Sequence, residues 1–472
     1  MFTWMRHWPR HALAAFAATL AVLAFGAWRT WALSYAQPDP KIDYLSQINA
    51  LVMRDQPEGE NAWPIYRRMF EEELGLTQSR KAQNQFSRDL SQALRESRIL
   101  YGAWSDVDRT DNMVQLQPFR PLLDTLDEAT ALRRFAMPYS DNGKLMNEPR
   151  PATMSEPLLL SLFLPAIGTF NRISEVNMAF MRIAAEQGAW NEVVARFHSG
   201  IRLGEQLSRQ ASGVERRVAV RILRETMMEL AHVLNEYTVP ESALNDIEFA
   251  LHDLDWSYDD VFPTILEQEH LMHLDVIQWT HDDGGMLLMT AADRFHQHGL
   301  NIDIGFELTN LVSPWFPGRA KAIRDSNRWL AGSHEAIRKL PPYGGWNPYV
   351  YRNDRSIHPV LRSMFWTVRS SLIETHVQAS LQQGMLILIE LERFHARRGA
   401  WPHSLDELAS EVDVIDPISG DSFVYEQTPQ EEHGRPFTLR IPWPKADNPR
   451  GEINAPRPPL SEAPAPGHVW YE

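Results

Sequence analysis

The stretch AFMRIAAEQGAWNEVVARFHSGIRLGEQL, Ala179 to Leu207, decides the fold class. Large and small apolar residues recur in it at three- and four-residue spacing, the period of a helix that buries one face. The period is interrupted once, at Gly188-Ala189-Trp190, where a glycine lets the chain leave one helix and turn into the next. One such hairpin cannot bury its own apolar face, so neighbours of the same kind are required.

They are found on both sides. Outward from the hairpin, helical periodicity runs over Glu156–Gln187, Trp190–Arg209, Val214–Glu236, Glu241–Asp253 and Tyr258–Thr280. Before it come Tyr44–Met53, Ala62–Leu74, Lys81–Trp104 and Phe119–Arg134; after it come Arg319–Arg338, His358–Arg397 and Leu405–Val412. Breakers separate these segments, among them Pro57-Glu58-Gly59, Gly143, Pro151, Gly213, Pro240, Gly284-Gly285 and Pro341-Pro342. Period-two alternation enters only at Phe423–Tyr425 and Phe437–Ile441. The expected fold is mainly α: an N-terminal transmembrane helix, an irregular all-α array of helical hairpins, and a small α+β C-terminal cap with a Pro-rich tail. The central hairpin resembles one tetratricopeptide unit in its Gly-x-Trp turn and in the Ala195, Phe197 and Ile201 that follow. No second copy stands at a 34-residue offset in the sequence.

The expected organisation is a cytoplasmic tip and anchor over 1–36, an extracytoplasmic α-helical domain over 41–357, a long helix with a small α+β module over 358–441, and a Pro-rich tail over 442–472. The tail holds eight prolines between Pro442 and Pro466, which neither a helix nor a central strand accommodates. At 472 residues, with 44% hydrophobic content and 16 tryptophans, the chain is long and apolar enough for more than one core.

Charge sorts the chain along its length. The first 38 residues carry Arg6, Arg10 and Arg29 and no acid, and setting those three cations aside moves the formal charge of the remainder from -15 to -18. A body this acidic repels phosphate backbones, so no nucleic-acid partner is expected. Within the N-terminal segment, seventeen uncharged residues run from Ala12 to Trp28, and Trp31 and Tyr35 can seat in an interface. Arginines before the run and acids after it, the first at Asp39, orient the N-terminus to the cytoplasm and the body to the periplasm. The expectation is a single-pass signal anchor in the inner (cytoplasmic) membrane. A cleaved signal peptide is the alternative, with Ser34-Tyr35-Ala36 offering small residues before Gln37, although Arg29, Trp28 and Trp31 are bulky for such a site.

The chain has no cysteine, which excludes disulfides, thiol nucleophiles, iron–sulfur clusters and Cys-ligated zinc. There is no Gly-x-Ser-x-Gly elbow, no Walker A loop and no dinucleotide fingerprint, and no cofactor is expected. The most suggestive segment is ILEQEHLMHLDVIQWTHDDGG, Ile265 to Gly285. Asp275, Gln278 and Asp282 stand at i, i+3 and i+7 and share one helix face, which makes them the candidate catalytic set. Leu271, Leu274 and Ile277 form an apolar stripe beside them. Glu267, His270 and His273, each three residues from the next, are the candidate metal ligands. The zincin arrangement would place the histidines four apart, and Asp282-Asp283-Gly284-Gly285 lacks the alternating acids of an EF-hand. The competing reading of this face is a solvated surface rich in His and Asp.

One resemblance concerns the C-terminus. A long helix ends in Arg397-Arg398-Gly399, then come Trp401-Pro402, Ser404-Leu405 and Leu408, and after a short gap Asp416-Pro417, Gly420 and an aromatic strand ending at Tyr425. This segment resembles one that recurs at the end of uncharacterised bacterial membrane-anchored envelope proteins, and it is distantly similar to the globular part of type II secretion pseudopilins. The helix around Glu269, Leu274-Asp275 and Ile277-Gln278 also resembles a stretch of those envelope proteins. The resemblance implies an envelope location and a small α+β cap. Pseudopilins continue into a Gly/Asp-rich calcium loop, whereas here Gln430-Glu431-Glu432-His433-Gly434 and prolines follow. Two functions compete on these grounds: a non-enzymatic scaffold that binds a protein or cell-wall partner, and an envelope hydrolase acting on peptidoglycan or another glycan through Asp275 and Asp282.

Overall fold

A computed structural model describes residues 10–35, 38–54, 59–74, 88–94, 114–139, 159, 165–254, 258–288, 318–338, 357–361, 367–427 and 436–442, a few positions inside these ranges excepted. The chain is mainly helical with one small antiparallel sheet. The expected helix over Lys81–Trp104 falls largely outside the described residues, as does the Pro-rich tail beyond Pro442.

Helix α1 spans Arg10–Tyr35 and exposes Leu20, Val22, Leu23, Phe25 and Trp28. Among the described residues, no helix is long and apolar enough to cross a membrane. The body begins with α2 (Tyr44–Val52), whose first turn is capped by Asp43: its carboxylate accepts from the Ser46 N–H at 3.0 Å. Then come α3 (Trp63–Arg68), running into a π-turn over Met69–Glu73, and α4 (Pro121–Thr130).

Five helices carry the bulk of the core: α5 (Pro165–Glu186), α6 (Trp190–Ser208), α7 (Gly213–Glu236), α8 (Glu241–His252) and the long α11 (Thr367–Arg398). The turn read from the sequence joins α5 to α6. Gly188 adopts φ 65°, and the Gly188 and Ala189 N–H groups close back onto the Ala185 and Ala184 carbonyls at 3.0 and 2.8 Å. Helices α6 and α7 cross closely because α6 offers glycines: a Cβ at Gly204 would lie 2.3 Å from Leu223 Cγ, and one at Gly200 2.7 Å from Thr226 Cγ2. One cluster packs α6, α7, α8 and α11 with the C-terminal cap; a second packs α3, α4 and α5 around Tyr66, Phe70, Phe135 and Phe170. Most of these rings meet edge-on, with Tyr66 and Phe170 centroids 5.0 Å apart, while Tyr66 and Phe70 stack.

Beside this bundle lies a smaller arm. Helix α9 (Tyr258–Thr280) receives α2 through Leu271, Met272 and Leu274, and receives α10 (Arg319–Arg338) through Leu266 and Ile277 against Ala322 and Trp329. The cap has strands β1 (Val424–Gln427) and β2 (Phe437–Arg440), paired antiparallel with Tyr425 opposite Leu439. The Asp416–Gly420 turn is closed by Gly420 N–H to the Asp416 carbonyl at 2.9 Å, with Gly420 at φ 75°.

Two expected elements differ. Leu405–Val412 is a 3-10 turn over Leu405–Leu408 and not a longer helix, since one turn suffices to bury both leucines. His358 does not begin the long helix. It precedes Pro359, which disfavours helical backbone at His358, and its N–H is spent on the Asp325 carboxylate at 2.8 Å.

Candidate functional site

The polar face of α9 is buried, not solvated. Asp275, Gln278, His273 and His281 are each 2% exposed or less. The reading as a solvated surface is corrected here: α2 covers one flank of the helix and α10 the other.

On the α2 flank, Gln278 makes a two-way hydrogen bond with the backbone of one residue. Its Nε2 donates to the Ile42 carbonyl at 3.0 Å and its Oε1 accepts from the Ile42 N–H at 3.3 Å. The same Nε2 donates to Asp275 Oδ1 at 2.9 Å, and Asp275 Oδ2 accepts from the Leu159 N–H at 3.0 Å. An amide side chain can imitate a strand edge in this way because it carries one donor and one acceptor side by side. Tyr44 lies close by. Burial raises its hydroxyl pKa, the Asp275 charge adds to the rise, and Arg319 opposes it.

On the α10 flank, the Nδ1 atoms of His270 and His273 stand 2.9 and 3.2 Å from the Ser326 hydroxyl, and the His273 ring sits edge-on to Trp329 with centroids 4.6 Å apart. Burial, with His270 beside it, lowers the His273 pKa to about 3. Just past the helix end, His281 Nδ1 lies 2.9 Å from the Ile277 carbonyl, which fixes the proton on that nitrogen, and its ring meets the His358 ring at 5.2 Å. Asp325 gathers the His358 N–H, the Lys321 ammonium at 2.5 Å and the Arg328 guanidinium at 3.9 Å.

The candidate sets of the sequence therefore separate. Asp275 and Gln278 are brought together, and both hold backbone. Asp282 is half-buried at the following turn, where its carbonyl accepts the Gly285 N–H at 3.0 Å. Glu267 pairs with Arg54 at 3.4 Å, both side chains well exposed, and reaches His270 only through its charge, which opposes the lowering of that imidazole's pKa by burial. Among the described residues, no group of three or more His, Asp or Glu side chains is placed to hold a metal ion. No protein-family model, curated protein or solved structure matches this chain.

Sequence reading missed Tyr44, Arg319, Asp325, Ser326 and His358, which complete this seam from distant segments. It also missed the polar tethers of residues 134–139, a segment held by two asparagines acting as Gln278 does. Asn49 bonds both backbone groups of Tyr139 at 2.9 and 2.7 Å, and Asn61 both of Ala136 at 3.0 and 2.9 Å. The Tyr139 hydroxyl donates to buried Glu215, whose pKa burial raises to about 8. The only local signal for these roles was asparagine inside an apolar helix or at its approach.

Proposed function

We propose that this protein is a membrane-tethered, extracytoplasmic helical scaffold that engages a protein or cell-wall partner, and that α9 is the internal clamp fixing its body to the segment leaving α1. The observation that carries the reading is the bonding of Asp275 and Gln278. The side chains best placed to be catalytic spend their hydrogen-bonding capacity on the backbone of Ile42 and Leu159. A carboxylate engaged by a backbone N–H and an amide, out of reach of solvent, suits a positioning role better than proton transfer to a substrate. The tether itself draws on the charge asymmetry of the N-terminus and the uncharged run Ala12–Trp28. It also needs the sequence up to about Leu33, beyond the described side chains of α1, to reach a spanning length.

The test is Gln278→Ala in the full-length chain, read by limited proteolysis and membrane fractionation. Loss of the two-way bond exposes residues 38–43, so cleavage there accelerates by about fivefold or more, the worth of one or two hydrogen bonds. The protein stays in the membrane fraction, and protease reaches the body only from the extracytoplasmic side. Unchanged cleavage removes the clamp; a body digested only from the cytoplasmic side removes the tethered orientation. A glycan-hydrolysing activity that Asp275→Asn abolishes in a folded chain would replace the scaffold with the hydrolase.

A further inference from the structure

The clamp on Ile42 occupies one flank of α9; the other flank is built so that it depends on uncharged imidazoles. His281 and His358 are both fully buried, and their rings touch at 5.2 Å. They come from the end of α9 and from the 357–361 segment, and Asp325 of α10 accepts the His358 N–H. The same corner is stitched by two backbone bonds, Arg319 N–H to the Gly285 carbonyl and Leu288 N–H to the Thr280 carbonyl, at 2.9 and 2.8 Å. We infer that His281 and His358 form an acid-released latch holding α10 and the 357–361 segment against the end of α9, so that acidification loosens the face opposite the Ile42 clamp.

The charges around the pair decide the sign. A proton on His281 would place a cation beside His358 and near Arg319 of α10. The Asp325 carboxylate does not offset it, being already shared by Lys321, the His358 N–H and, at 3.9 Å, Arg328. From its own helix His281 meets the Ile277 carbonyl and the Thr280 hydroxyl, the latter at 3.0 Å from Nδ1, and half-buried Asp282 follows it in the chain. The helix-end carbonyl favours the charged ring, but burial, His358 and Arg319 together prevail and lower the His281 pKa to about 3. A base held neutral in the closed state and ordinary in the open one gives a latch that is intact above about pH 6.5 and weakens as pH falls from there towards 3.

The inference rests on the reading of α9 as a docking element, yet the two fail separately. The cysteine-free chain allows a single reporter thiol. Ser333→Cys places one on α10 where the native side chain is fully buried, and Ser174→Cys places a control on α5, also buried. Labelling of the full-length protein by a disulfide reagent is measured at pH 7.5 and pH 5, each rate divided into that of the unfolded chain at the same pH. Protection at Ser333→Cys is expected to fall by about tenfold or more on acidification, with the Ser174→Cys control changing by less than about twofold. Adding His281→Gln to the reporter reduces the fall in protection by about threefold or more, the remainder resting on buried His273, which also faces α10. His358→Gln serves the same test should that variant not fold, and an undiminished fall in both variants overturns the latch. Protection that is flat with pH, or that falls in step at both positions, overturns the latch. Cleavage at 38–43 that ignores Gln278→Ala while the Ser333 reporter still answers to pH would remove the clamp alone.

Discussion

The bundle of α5–α8 and α11 and the arm of α9 and α10 bury polar groups in opposite ways. In the bundle, buried arginines are matched by carboxylates. Arg182, 1% exposed, reaches Glu236 at 2.8 Å and Glu229 at 3.8 Å. Arg202 joins Glu205 and Asp253, and Arg393 binds Glu390, Glu241, Glu248 and Asn245. In the arm, imidazoles, the Ser326 hydroxyl and the Gln278 amide bond to one another or to backbone, beside the carboxylates of Asp275 and Asp325. Fixed arginine charges hold across the whole physiological pH range, whereas imidazoles hold only while neutral. The bundle leans on fixed charge and the arm on imidazoles, although the bundle too buries one histidine, His232, whose pKa burial lowers to about 3.

The comparison breaks most visibly if the bundle does not need its arginines. Arg182→Leu takes away the guanidinium shared by Glu229 and Glu236, leaving carboxylates in a space made for an ion pair. Glu236 is partly exposed and burial raises the Glu229 pKa to about 8, so the lost hydrogen bonds cost about 1–3 kcal/mol, and urea unfolding should shift to a lower midpoint while the arm reporter at Ser333 keeps its protection. A loss under about 1 kcal/mol would mean that the bundle tolerates unmatched charge and that the contrast with the arm is one of composition only.

A pH dependence of opposite sign sharpens it further. Glu215, at the first turn of α7, is raised to about 8 by burial, against which the Tyr139 and Ser212 hydrogen bonds work. A carboxyl protonated in the fold and ionised when unfolded gives stability that is complete below about pH 4.5 and lost as pH rises through 8. The bundle should therefore weaken on the alkaline side, where the arm is at its firmest. Glu215→Gln keeps a neutral acceptor for Tyr139 and removes the titration. Between about pH 7 and pH 8.5 the urea midpoint of the variant should fall less steeply than that of the parent, the remaining slope belonging to buried Glu229, which is also raised to about 8. A parent with no alkaline slope would show Glu215 to be ionised in the fold.

These regions were not equally legible in the sequence. The bundle announces itself because an apolar face at helical spacing is a local pattern, and the turn at Gly188 needs only a glycine in the left-handed region. Tyr258–Thr280 and Arg319–Arg338 are also found at the residues expected, but what lies on each face of α9 is not local. Asp275 and Gln278 share a face by spacing, which the sequence gives; that Ile42 and Leu159 sit on that face depends on segments 236 and 116 residues away. A helix face rich in His and Asp looks solvated until its neighbours are known, because burial is a property of the partner as much as of the helix. His358 is drawn into the expected helix by the periodicity beyond it, although Pro359 disfavours helical backbone at the residue before it.

The smallest effect belongs to the pair that spacing alone made suggestive. Glu267 stands three residues before His270, and on a bare helix the two could converge with His273 on a cation. In the fold, Glu267 turns outward to Arg54, with side chains 45% and 58% exposed. Water and salt screen such a pair, and its side-chain entropy cost cancels most of the attraction, leaving less than about 0.5 kcal/mol. Glu267→Ala should leave the urea midpoint within error, and 0.5 M salt should abolish whatever difference remains. Elemental analysis of parent and variant gives the sharper reading. If the parent carried stoichiometric zinc and Glu267→Ala lost it, the carboxylate would have to swing from Arg54 to the histidines, and Ser326 would have to release their Nδ1 atoms. The arm would then be a metal centre that opens for its ion, and its difference from the bundle would be one of function and not only of which charges it can bury.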